Sequence, residues 1–273
     1  MHSQINKDTT LCISLAARPS NFGTRFHNYL YDALGLNYVY KAFTTDNIVS
    51  AITGIRGLGI RGCGVSMPYK EACIPFLDEM DASAKAIDSV NTIVNTNGYL
   101  KAYNTDYIAI VKLLTDKHID TQLEVAVAGS GGMAKAVACA LRDVGFTHGR
   151  IVARNEDKGR KLAELCGFEW CASLVGNSAQ LLINATPIGM TGSAADAMPF
   201  SEAQVMAAQV IFDVVAMPIE TPLIQCALKA HKQVIYGSEV FAIQAVEQFV
   251  LYTGLRPSDE QFSQAAAYSR QNA

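Results

Sequence analysis

Apolar positions along this chain follow two periods in turn, and the alternation predicts an α/β protein with parallel sheets. Short apolar runs bounded by turn residues predict strands at residues 11–16, 38–43, 90–95, 99–103, 123–128, 150–153, 183–185 and 210–214, and another ending at 64–66. Helical spacing predicts helices at 26–34, 48–58 and 107–117, and one running to about residue 145. From residue 239 to the end the pattern is helical, interrupted near 254–257. Pro68 stands at the first-turn position of a further helix, where proline is tolerated. Thr96-Asn97-Gly98 separates two strands, and Asn-Gly is a strong hairpin signal, so one pair is expected to be antiparallel. The helix at 107–117 is expected to bridge two domains. The small polar loop after Met190 reads as a mobile segment. There is no internal repeat and no low-complexity tract.

At 273 residues the chain exceeds one comfortable core, which predicts two domains: 1–106 with 238–273, and 107–237. Half of the residues are hydrophobic and 17% are charged, the balance of a folded globular protein. A net charge of −3 gives no electrostatic case for nucleic acid or an anionic membrane. No apolar run is long enough for a membrane span, and the polar amino terminus does not read as a signal peptide. Seven scattered cysteines without a C-x-x-C pair favour reduced thiols and a cytoplasmic protein. Cys166 and Cys171 lie close together without a histidine pattern, so no metal is expected. A small-molecule substrate and a monomer or homodimer are the expected partners.

The most informative stretch begins where the strand at 123–128 runs into Gly129-Ser130-Gly131-Gly132-Met133-Ala134. A strand, a glycine turn and a helix start within one short unit predict a dinucleotide site. Gly129 permits the tight turn, Gly131 lets pyrophosphate approach the backbone, and Ala134 lets the helix pack close to the sheet. The unpaired amides and positive end of that helix then face the phosphates. After the next strand, where an NAD site usually carries an acid for the ribose hydroxyls, stands Arg154, with Lys158 and Arg160 nearby. That favours a 2′-phosphate and hence NADP (NADPH). Glu156 and Asp157 argue the other way, and charges here also suit an ordinary solvated helix start. Asn184, Thr186 and Pro187 end a later strand, where a cofactor contact is expected.

Lys70 is the first candidate for chemistry. A lysine in a helix's first turn faces the positive end of the helix, which would depress its pKa, as a general acid/base requires; the plain alternative is a surface lysine. Asp106, in Asn104-Thr105-Asp106, reads by default as a helix N-cap and, without excluding that, as the partner that faces Lys70 across a cleft and shares its proton with a substrate hydroxyl. Asn91, Thr92 and Gln244 could offer neutral hydrogen bonds to a polyhydroxylated ligand, although an exposed glutamine is the ordinary reading of Gln244. His27 reads as a packing or capping residue.

In this order the motifs resemble the shikimate dehydrogenase family over nearly the whole chain. Val65-Ser66-Met67-Pro68-Tyr69-Lys70 is similar to its V-T-x-P-x-K, Val90-Asn91-Thr92 to V-N-T, and Asn104-Thr105-Asp106 to N-T-D. Gly129 to Ala134 matches the glycine turn, Ala153-Arg154-Asn155 the N-R-T phosphate contact, and Asn184 to Met190 N-A-T-x-x-G-M. Asp213 to Leu223 resembles D-x-V-x-x-P-x-x-T-P-L, and Gly237 to Ala245 resembles G-x-x-M-L-x-x-Q-A, with Gln244 at its glutamine. The resemblance implies an amino-terminal α/β substrate domain plus a Rossmann-type NADP-binding domain, with Val214 and Gly237 added to the cofactor contacts. It implies reversible hydride transfer between a ring C–OH and nicotinamide, with Lys70 and Asp106 handling the hydroxyl proton.

The departures matter as much. Where the family has two carboxylate-binding serines, this chain has Asn21 and Gly23, with Thr24 at the proline that follows them. Gly64 replaces an asparagine, Ala216 a tyrosine, and Tyr107 a glycine, while Ser66 keeps a hydroxyl. Losing several polar contacts predicts a weakened or altered acid pocket. Arg18 and Arg25 could supply a charge instead. The expected activity is NADP-dependent interconversion of 3-dehydroshikimate and shikimate. The rivals are a quinate or aminoshikimate dehydrogenase and, from another class, a non-catalytic NADP-binding regulator.

Overall fold

A computed structural model describes residues 5–174, 176 and 179–270. Described residues up to Thr105, together with those from Ala242 onward, form one compact unit; Asp106–Phe241 form a second. In the first unit, β1 (Thr10–Leu15), α1 (Phe22–Ala33), β2 (Tyr38–Phe43), α2 (Ile48–Gly57) and β3 (Gly62–Val65) make a parallel core in the order β2-β1-β3. A one-turn α3 (Tyr69–Ala72) follows, then the two-residue β4 (Glu79–Met80) and a short α4 (Ala82–Lys85). β5 (Thr92–Thr96) and β6 (Tyr99–Tyr103) complete a mixed six-stranded sheet, β5 pairing antiparallel with both β3 and β6. The predicted hairpin is present: Thr96 opposes Tyr99, and Asn97 and Gly98 both take positive φ, 53° and 87°. That two-residue geometry matches strand twist, and asparagine and glycine adopt it at least cost.

α5 (Thr105–Asp116) leads into the second unit, whose strands are β7 (Val125–Ala128), β8 (Gly149–Val152), β9 (Glu169–Cys171), β10 (Leu181–Asn184), β11 (Val210–Asp213) and β12 (Gln233–Tyr236). Their order, β12-β11-β10-β7-β8-β9, is all parallel, and the interleaved helices are α6 (Gly132–Val144), α7 (Glu156–Cys166), α8 (Glu202–Ala207) and α9 (Pro222–Lys229). The chain leaves β7 toward β8 on one side and returns to β10 on the other, which is the Rossmann switch point. α6 stops at Gly145, left-handed at φ 112°, a conformation glycine adopts without strain. α10 (Gly237–Thr253) and α11 (Asp259–Arg270) close the chain, with the predicted break between them.

The core of the first unit joins Phe22, Phe26, Tyr31 and Tyr40 to Val246, Phe249 and Tyr252 of α10. β3 accommodates this packing by lacking a side chain: a Cβ on Gly62 would lie 2.3 Å from the Tyr252 ring. Gly62→Ala is therefore expected to destabilise by about 1–3 kcal/mol, the usual range for overpacking. Urea unfolding checks this as a lower midpoint with an unchanged slope. Among the described residues no helix is long and apolar enough to cross a membrane.

Candidate functional site

The second unit carries a cleft of ≈ 1300 Å³ lined in part by Gly129, Ser130, Gly131, Arg154, Asn155, Thr186 and Pro187. Gly129 has φ +119°, and a Cβ there would stand 2.9 Å from the Ala185 carbonyl oxygen, so the turn after β7 meets the end of β10 only through glycine. Among the described residues, no heavy atom beyond the adjacent chain and the helix's own backbone lies within 4 Å of where Cβ atoms on Gly131 or Gly132 would sit. That open face lies at the N-terminus of a thirteen-residue helix, which a phosphate suits. Ala134 is fully buried beneath, and Met133 is half-buried.

The structure separates the three basic residues after β8. Arg154 is exposed and lines the cleft. Arg160 instead bonds Glu156 at 2.7 Å and lies 4.4 Å over the Trp170 ring, which removes it from the expected phosphate cluster and engages the opposing acid as well. Lys158 is exposed on α7 and, among the described residues, is not in the lining; its amide donates to Asn155 Oδ1, so Asn155 caps the helix.

Asn184 is not a surface contact: it is fully buried, and its amide is committed on both sides. Nδ2 donates to the Ile188 carbonyl and Asp213 Oδ1, and Oδ1 accepts from the amide and hydroxyl of Thr186. Asn184 thus shapes the loop that presents Thr186 and Pro187. Burial pushes the Asp213 carboxyl up, partly offset by bonds from Thr221, Val215 and Asn184. A Cβ on Gly237 would sit 2.4 Å from the Val214 backbone, so this pair is a close chain crossing and lies outside the cleft lining.

In the first unit, Thr105 gathers the expected neutral groups. Its amide donates to Asn91 Oδ1 at 2.8 Å, and its hydroxyl reaches Asn91 Oδ1 at 3.2 Å and Gln244 Oε1 at 3.3 Å. The Thr105 amide and the Thr92 hydroxyl turn the Asn91 carboxamide oxygen inward, leaving its Nδ2 to donate elsewhere. Gln248, which local sequence did not single out, donates to the Asn91 carbonyl at 3.2 Å and Thr92 Oγ1 at 3.0 Å. Its only signal is a position one helical turn beyond Gln244 on α10. Ser66 is exposed just past β3.

Lys70 is half-buried on α3, its carbonyl held by the Val90 amide at 2.9 Å. With a single helical turn, α3 has few aligned peptide dipoles, so the field invoked from sequence has little source. Asp106 is the second residue of α5, 9% exposed, inside the helix rather than at its cap.

Comparison with known proteins turns these placements into a family. Residues 21–93 match the shikimate dehydrogenase substrate binding domain. A shikimate dehydrogenase-like protein of Haemophilus influenzae is 58% identical over 267 residues, 97% of this chain and 98% of that protein. The chain belongs to the shikimate dehydrogenase family. The NADP(+) shikimate dehydrogenase of Desulforamulus reducens is 34% identical, with 93% of each chain covered. The Thermus thermophilus shikimate 5-dehydrogenase, solved with NADP(H) and shikimate, superposes with a TM-score of 0.83 at 27% identity, covering 95% of this chain and 99% of that one.

Against that family the departures have physical settings. Asn21 is exposed ahead of α1 and makes no side-chain cap bond, and Gly23 is half-buried. Arg25 does not replace the missing hydroxyls: it bonds the Tyr268 carbonyl and stacks 4.4 Å over that ring. Arg18 is exposed. Tyr107 donates to Asp143 on α6 at 2.6 Å, and Ala216 is half-buried.

His27 is packed, as its sequence setting predicts, 4.4 Å from the parallel Tyr40 ring. Burial lowers its pKa to about 3 despite a bond to Gln248. Gln248 Nε2 serves two acceptors and His27 Nδ1 has no partner, so we assign the bond as His27 Nε2–H donating to Gln248 Oε1. The unfolded chain takes up this proton below about pH 6.5, and the folded chain does so only near the lowered value. Stability is therefore fully present above the unfolded pKa and lost as pH falls through that window, by at most about 1.4 kcal/mol per unit. His27→Phe keeps a ring and removes the proton site. Urea titrations at successive pH values are expected to show a shallower acid slope; an unchanged slope would place the titration elsewhere.

Proposed function

We propose that this chain catalyses NADP-dependent interconversion of 3-dehydroshikimate and shikimate, a step of aromatic amino acid biosynthesis, in the cytoplasm. The first unit binds the substrate and the second the cofactor. Arg154 in the wall of the glycine-turn cleft carries the reading, because it offers a guanidinium where a 2′-phosphate would lie. Gly129, Ser130, Gly131, Thr186 and Pro187 would hold the rest of the dinucleotide, and the open faces of Gly131 and Gly132 suit its pyrophosphate. NADPH, once bound, supplies the hydride. Lys70 and Asp106 exchange the proton of the hydroxyl that forms or is oxidised. Asn91, through the amide nitrogen left over by Thr105, and Gln244 offer hydrogen bonds to ring hydroxyls, and Ser66, Asn21 and Gly23 line the rest of the subsite.

The test supplies NADP with shikimate, quinate and an aminoshikimate in turn and follows reduced nicotinamide in the near ultraviolet. Formation of NADPH with shikimate is the expected result, and a faster rate with another ring acid would reassign the substrate. No turnover on any of them, with NADP still bound, would make the chain a regulator instead.

A further inference from the structure

One buried face of the first unit's sheet lacks side chains where a strand usually has them. Ser14 of β1 pairs in register with Gly64 of β3, and Gly64 with Thr92 of β5. Gly62 lies two residues back and hence on the same face. An aromatic side chain stands over each glycine. Tyr252 covers Gly62, and Tyr40 covers Gly64, with its hydroxyl 2.9 Å from where a Cβ would be. Gly23 of α1 meets the same ring, 3.4 Å from Cε1 and 3.6 Å from the hydroxyl.

Tyr40 is firmly held. It is 3% exposed, bonded to Ser14 and stacked on His27. A side chain at residue 64 and this hydroxyl exclude each other. Without the hydroxyl, the nearest atoms to such a Cβ are those of the Gln248 amide at 3.5 Å, an ordinary contact. Besides Lys70 and Asp106, assigned to the reacting hydroxyl, the subsite offers the neutral carboxamides Asn91 and Gln244, with Gln248 bonded to the Asn91 carbonyl. Arg25 is committed to Tyr268, and Arg61 to the carbonyls of Tyr252 and Asn95. A carboxylate leaving water needs more donors aimed at its oxygens than a hydroxyl or an ester carbonyl does, and residue 64 supplies no side-chain donor.

We propose that Tyr40, standing over Gly64, is a specificity-determining residue that keeps a side-chain donor out of that position, so that the subsite selects an uncharged, hydroxylated group over a carboxylate. This rests on the dehydrogenase reading above and sharpens its substrate class.

The test compares kcat/KM for shikimate and its methyl ester, which share a ring and differ in charge. Wild type is expected to use the ester at least as well as the acid. Y40F/G64S makes room for a hydroxyl donor, and is expected to move preference toward the acid by about tenfold or more, the worth of one hydrogen bond to a charged group. Thermal melts confirm that the variant folds; if it does not, the wild-type ratio decides alone. A wild-type preference for the acid of about tenfold would overturn the proposal and leave the dehydrogenase reading standing, as would a folded Y40F/G64S with an unmoved ratio. Failure to oxidise either compound would bring down the dehydrogenase reading, and this proposal with it.

Discussion

Replacing Lys70 by alanine is expected to lower kcat for NADP-linked shikimate oxidation about 10²- to 10⁴-fold, the range for removing a general acid/base. The effect does not depend on a helix field, since α3 is one turn long. It rests on chemistry and placement: the only ionisable member of the V-S-M-P-Y-K motif other than a tyrosine is half-buried, on a backbone pinned by Val90. Oxidising an alcohol releases a proton as the hydride departs, and an amine beside the hydroxyl can take it up. The loss should fall on kcat more than on KM, because the proton moves in the transition state. Lys70→Met, which keeps the stem and drops the charge, should match alanine. Steady-state kinetics with NADP held saturating checks both; wild-type kcat in either variant would end the acid/base assignment.

The second large effect lies in the candidate cofactor cleft. Arg154→Ala is expected to weaken NADP by about 10- to 100-fold, the loss of a charge-assisted hydrogen bond, while NAD binding hardly changes. Only NADP presents a phosphate to the guanidinium. Among the described basic residues after β8, Arg154 is the one in the cleft lining, since Arg160 is held by Glu156 and Trp170 and Lys158 lies outside it. Trp170, the sole tryptophan, offers the readout. Its indole donates to the Ala153 carbonyl, next to Arg154 in the chain, and its ring lies where a Cβ on Gly159 would be 2.3 Å away. Fluorescence titration of wild type and variant with both nucleotides measures the two ratios; equal losses for NADP and NAD would make Arg154 structural.

What could be read from sequence was local chemistry. Asn97-Gly98 needs positive φ at both positions, so the hairpin followed from two letters. The glycine turn at Gly129 and the stop at Gly145 are legible for the same reason. Short elements escaped although their signals were present: Ser201 and Gln204 form a reciprocal cap on α8, and Thr221-Pro222 opens α9 with a cap and a first-turn proline. α1 begins four residues before its expected start, because Phe22 joins the core despite a glycine beside it.

Long-range matters stayed hidden. Glu156 is an i,i+4 partner of Arg160 that local spacing can show, but nothing near Arg160 shows that the Trp170 ring covers it, since Trp170 comes from β9. Gln248 has meaning only once Asn91 and Thr92 are folded against α10. Tyr40 and Gly64 lie on strands separated by β1, and their exclusion is a fact of packing that no local pattern carries.

The most direct measurement uses shikimate bearing deuterium on the carbon that holds the oxidised hydroxyl, incubated with the protein and NADP, followed by mass spectrometry of the nucleotide. NADPH that has gained the deuterium is the predicted result, because the hydride travels from that ring carbon to the nicotinamide. Nucleotide recovered unreduced, or reduced without label, would contradict it.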